Sequence, residues 1–148
     1  MNSLLDGLPA NQIKKLQRVQ NAAARIVSKC GFELDIMPIL KSLHWLPVAF
    51  RVKYKILTIT WKCLHDKAPE YLTQVLIPLK RDRTLRSNDQ LLLVIPKTNM
   101  KTLGDRSFAA SAPSLWNAMP LKLRQATSIN IFKKDLKTYL FEQAFRNV

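Results

Sequence analysis

Between Pro47 and Pro69 the chain carries VAFRVKYKILTITWKCLH (residues 48–65), and its spacing of apolar side chains dictates a helix that others must cover. Phe50, Tyr54, Leu57, Trp61 and Leu64 step by four and three, the period of one helical face, while Val52, Ile56, Ile59 and Cys63 spread over the adjoining surface. Only Arg51, Lys55, Thr58 and Lys62 are left as a polar strip. A helix apolar around most of its circumference is stable only at the centre of a bundle. Lys53 interrupts the pattern and is expected to run its stem along the apolar surface and hold its ammonium in water. Pro47 suits the first turn, where a missing N–H costs nothing.

Prolines and caps divide the rest of the chain into similar pieces. Asn11 reads as the N-cap of a helix over residues 12–29, with Gly31 as its stop. On a wheel at about 100° per residue, Ile13, Leu16, Val19, Ala23, Ile26 and Val27 fall to one side of this helix and Lys14, Arg18, Arg25 and Lys29 to the other. The first set asks for a core and the second for anions, although Arg25 and Lys29 also suit the C-terminal end of the helix dipole. Residues 35–43 form a short helix with Asp35 or Met37 near the cap and Pro38 in its first turn. His44 and Trp45 lead to the restart at Pro47. Pro69 opens a short helix to about Leu76, closed by Pro78. In GDRSFAASAPSLWNAMP (residues 104–120), Phe108, Ala109, Ala112, Leu115, Trp116 and Met119 share a face, with Pro113 and Pro120 as a break and an end. Ser128 caps a last helix over residues 129–145, with Ile129, Phe132, Leu136, Tyr139 and Leu140 on its apolar face.

These pieces make a mainly α protein, a helical array of about six helices. The expected division is residues 1–79 as a helical subdomain, 80–106 as a basic connection and 107–148 as a C-terminal helical segment. Residues 91–95, LLLVI, followed by Pro96, read as one strand of a short β-ribbon completed within residues 97–103. A disordered linker is the competing account of residues 81–90. The core is expected to centre on Trp45, Phe50, Leu57, Trp61, Phe108, Trp116, Phe132 and Leu136.

Charge narrows the classes of function. Twenty-four Lys and Arg stand against ten Asp and Glu, a net +14 spread over most of the chain. That excess points to a polyanionic partner, nucleic acid before an acidic membrane surface, because no juxtamembrane basic block or lipidation signal accompanies it. The candidate contacts are Lys14, Lys15, Arg18, Arg25 and Lys29 on the first helix and Arg81, Arg83, Arg86, Lys97, Lys101 and Arg106 in the connection. Stacking of Tyr54 and Trp61 on bases is the lesser reading beside core packing. The two cysteines, Cys30 and Cys63, supply neither a disulfide framework nor a zinc motif, and read as reduced core thiols. Cys63 and His65 make two ligands at best, and His44 has no carboxylate or nucleophile at a motif spacing. No phosphate-binding loop, nucleophile elbow or zinc-protease helix is present, and the carboxylates are scattered singly. No cofactor, metal or catalytic residue is expected, and no segment reaches the length of a membrane span. The chain reads as soluble and intracellular.

Four segments in order, NSLLDGLP (residues 2–9), LQRVQNAAARIV (16–27), LKSLHWLPV (40–48) and GDRSFAASAPSLWNAMP (104–120), resemble the C-terminal region of reverse transcriptases from LINE-type (non-LTR) retrotransposons. Asp6 stands where that pattern has an aromatic residue. The resemblance implies that residues 1–79 are thumb-like, that they contact a template-primer duplex, RNA or RNA/DNA, and that the parent protein's polymerase palm is a packing partner. It implies a nuclear or cytoplasmic location. The family's palm carboxylates and endonuclease have no counterpart in these residues, so the resemblance implies a non-catalytic fragment of an RNA-directed DNA polymerase. The alternative is a structural module that packs on the polymerase core or self-associates, its charges serving solubility.

Overall fold

A computed structural model describes residues 8–79, 90–97 and 107–146. Seven helices lie within them: α1 (Ala10–Ser28), α2 (Ile36–Ser42), α3 (Val48–Leu64), α4 (Glu70–Thr73), α5 (Phe108–Asn117), α6 (Leu121–Arg124) and α7 (Ile129–Ala144). The protein is mainly α, as the periodicity required, and α3 is its centre: α1, α4, α5 and α7 all pack against it.

Four of the helices are entered in the same way. Pro9, Pro47, Pro69 and Pro120 sit at the N-cap with φ between −52° and −57°. The ring holds the backbone extended just before the first turn, and each proline carbonyl accepts from the N–H groups that open the helix. Pro47 and Pro69 thus stand one residue ahead of the first turn where they were expected, and Pro120, expected as an end, opens α6. Asp35 and Ser128 cap α2 and α7 through their side chains, accepting from the N–H groups of Met37 and Ile131 at 3.3 Å. Asn11 caps nothing; it lies inside α1, whose start Pro9 has already fixed. Nor does Gly31 end that helix. Lys29 does, at φ 52°.

The principal core joins α3, α5, α6 and α7 around Trp61, Trp116 and Phe132, all at most 1% exposed. Phe132 lies between the two indoles with 6.0 Å between centroids on each side. Each indole N–H has a carbonyl: Trp61 Nε1 donates to Ala126 O at 3.2 Å and Trp116 Nε1 to Leu91 O at 2.7 Å. Leu57 and Leu136 are buried beside them as expected, whereas Trp45, Phe50 and Phe108 are only half-buried. The face of α3 is rotated from the expected stripe, because Thr58 and Thr60 are buried and return their hydroxyls to the carbonyls of Tyr54 and Ile56, at 2.7 and 2.9 Å. That local bond satisfies the hydroxyl and lets threonine replace an aliphatic residue in the core. Lys53 lifts its ammonium over the Phe50 ring, 5.1 Å from the centroid. A second cluster of Ala24, Ile39, Leu40 and Phe145 ties α1 and α2 to the end of α7.

Two expectations need correction. Pro113 does not break its helix; it lies inside α5 and is fully buried, so packing outweighs the one backbone bond it removes. Residues 91–95 form no continuous strand, and their described pairing is with an earlier segment. Leu93 makes an isolated antiparallel bridge with Pro78, Leu79 N–H donating to Leu92 O at 2.9 Å and Val94 N–H to Ile77 O at 2.8 Å. The opposite edge is closed by a side chain: Asn117 Oδ1 accepts from Leu93 N–H at 2.9 Å and its Nδ2 donates to Leu93 O at 2.8 Å. Residues 98–103, the expected partner strand, and residues 81–89 of the expected linker lie outside the described residues.

Candidate functional site

Three strips run along α1, and only the narrowest is covered. Gln20 and Ala24 are the buried residues of this helix. Gln20 Nε2 donates to Leu46 O at 2.8 Å, and Val48 N–H donates to Gln17 Oε1 at 2.8 Å. The two glutamines also bond each other at 3.1 Å. A pair of amides therefore holds α1 against the chain at Pro47, satisfying backbone groups around the start of α3 that no helix would use.

The apolar side of α1 was expected to enter the core and does not. Val19 is 69% exposed, Ile26 77% and Val27 58%, and Leu16 is also exposed. Phe32 and Leu34, on the turn after α1, are exposed as well. Wheel geometry gives the direction of a face but not whether a partner lies there, and in this chain α2 and α3 approach the amide edge instead.

The third strip is cationic. Lys14, Lys15 and Arg18 are all exposed, and α1 contains no acidic residue. Lys29 is exposed at the helix end. Arg25 differs from them: its guanidinium donates to Gly31 O and, at 3.0 Å, to Leu34 O, and it lies over the Phe32 ring at 5.4 Å. It fastens the turn after α1, which commits two of its five N–H donors to the chain itself. Lys97 is exposed beyond the Leu93 bridge, while Arg81, Arg83, Arg86, Lys101 and Arg106 lie outside the described residues.

A second group of cations was not foreseen. His44, Leu46, Arg51, Tyr54 and Lys137 line a cleft of about 310 Å³ between the α2–α3 turn, α3 and α7. Arg51 is held by its Nε, which donates to Leu46 O at 2.9 Å, and by the Trp45 ring 5.8 Å away. Its position also borders a groove of about 420 Å³ that includes Leu16, Val19, Ala23 and Trp45, so the cleft adjoins the open apolar flank of α1. Arg51 belonged to the polar strip of α3 and Lys137 lies on α7; nothing local to either says that both line one cleft. His44, at φ 54°, is turned by the end of α2, its Nδ1 3.1 Å from Lys41 O and its ring edge against Phe141. Burial pushes the Tyr54 hydroxyl above its ordinary pKa.

The remaining candidates are structural. His65 stacks on Trp61 with 3.7 Å between centroids and its Nδ1 lies 2.8 Å from Trp61 O. Cys63 is buried, and that burial pushes its thiol pKa up. No group of three or more His, Cys, Asp or Glu able to hold a metal occurs among the described residues, and no helix among them is long and apolar enough to cross a membrane. No family model, curated protein or solved structure matches the chain.

Proposed function

We propose that this chain is a non-catalytic C-terminal piece of a LINE-type retrotransposon reverse transcriptase that grips the phosphate backbone of nucleic acid without reading its sequence. The observation that carries this reading is the exposed strip of Lys14, Lys15 and Arg18 on a helix free of acidic residues. Flexible cations along one helix flank suit a row of phosphates and offer no fixed donor pattern for base edges. The four motif segments support the family, and the cationic cleft with Arg51 and Lys137 extends the positive surface toward α7.

Binding of a duplex should fall steeply with salt, and the triple variant Lys14→Glu, Lys15→Glu, Arg18→Glu should flatten the slope of log K against log salt by about three. Fluorescence anisotropy with a labelled RNA/DNA hybrid measures this. An unchanged slope in the triple variant overturns the reading.

The open apolar flank of α1 favours a second reading, in which this helix docks on the polymerase core or on another copy of the chain. The two readings use different strips of one helix, so they are separable by mutation.

A further inference from the structure

Four polar residues are buried among the described ones, and Arg124 on α6 is the charged member, 6% exposed. Its hydrogen bonding is incomplete. Its Nη1 reaches Asn117 O only at 3.5 Å, the outer limit of such a bond, and Nε is buried with no partner. Arg124 lines a cavity of about 370 Å³ whose other walls include Leu64, Leu91, Leu93, Trp116 and Ala126, and among the described residues no carboxylate lines it. Desolvation lowers the Arg124 pKa, the opposite of what a facing carboxylate would do.

A buried cation without a counter-charge is strongly unfavourable, and an anion delivered from outside would remove the penalty. The cavity wall is also strained at one point. Leu91 holds φ 50°, a region leucine rarely enters, and its carbonyl is fixed there by the Trp116 indole N–H. Backbone strain held in place beside a cavity is characteristic of ligand sites. The volume lies at the lower end of small-molecule pockets.

We infer that this cavity binds a small amphiphilic monoanion, a carboxylate on an unbranched apolar body, with the head on the Arg124 guanidinium and the body against Leu91, Leu93 and Trp116. The charge selects the head and the leucines select the tail. A purely polar anion leaves the walls uncovered, and a neutral apolar molecule leaves Arg124 uncompensated.

The test titrates the whole 148-residue chain with octanoate, octanol and acetate, following the Trp116 indole N–H by NMR. Octanoate should shift that signal saturably and bind at least about tenfold more tightly than either control, as a charge-assisted hydrogen bond allows. Arg124→Met should erase the preference for octanoate over octanol and raise the thermal midpoint of the free protein, because it removes a buried charge. Leu91→Gly, which fits the positive φ, should keep the fold and weaken octanoate by about threefold or more. Equal binding of octanoate and octanol by the wild-type chain overturns the proposal, whatever the variants do. So does a preference for octanoate that survives Arg124→Met, and so does undiminished octanoate binding by a folded Leu91→Gly.

Discussion

Lys29, His44 and Asp66 each take a left-handed conformation where a helix stops, at φ 52°, 54° and 53°. In each case the next residue's N–H reaches back to the carbonyl five residues earlier, Cys30 to Arg25 at 3.1 Å, Trp45 to Leu40 at 2.9 Å and Lys67 to Lys62 at 2.8 Å. Glycine is the usual occupant of such a stop, and this chain has only three glycines to give. An L side chain in that conformation costs about 1 kcal/mol, part of which glycine returns as greater freedom of the unfolded chain. Lys29→Gly should therefore raise stability by about 0.5 kcal/mol, read as a higher urea midpoint at unchanged slope. A lower midpoint would show that the lysine stem contributes more than its backbone costs. The sequence points to Gly31 as the stop because glycine advertises itself and a left-handed lysine does not. The role of Arg25 is hidden for a similar reason: a cation on a wheel looks the same whether it faces phosphate or, as here, two carbonyls of the following turn.

Among the elements, α3 and α1 mark the two limits of pattern analysis. The apolar spacing of α3 covers so much of its surface that any packing would place it centrally, so its role is legible before any contact is known. The amphipathic pattern of α1 is equally plain, yet its buried edge is Gln20 and Ala24 with half-buried Gln17 beside them, chosen by hydrogen bonds to Leu46 and Val48 that no periodicity encodes. The apolar flank therefore contributes little to the fold of this chain. Ile26→Ser with Val27→Ser should change unfolding free energy by no more than about 1 kcal/mol, since the removed area is already wet. If that flank is a docking face, the same pair should lower the weight-average mass in sedimentation at high protein concentration or abolish association with a polymerase core. A large loss of stability would mean instead that the flank is covered in the isolated chain.

At the scale of the whole molecule, the Trp61–Phe132–Trp116 stack joins three helices drawn from both sides of residues 80–106. Trp61→Ala would open a cavity at the point where they meet and strand Ala126 O without its donor. A cost of about 3–5 kcal/mol is expected, enough to approach the entire stability of a small protein, so thermal unfolding monitored by circular dichroism should lose its cooperativity. Such a stack is legible in the sequence only as three apolar residues on three faces; their separation along the chain gives no way to see that they touch. The small bridge at Leu93 has a different kind of consequence. Because Leu79 and Leu92 are bonded backbone to backbone, and Asn117 clasps Leu93 from the other edge, residues 79 and 92 stay neighbours whatever chain runs between them. The clasp makes residues 79 and 92 fixed attachment points, and for a flexible connection between such points each doubling of length costs only about 0.6 kcal/mol of closure entropy.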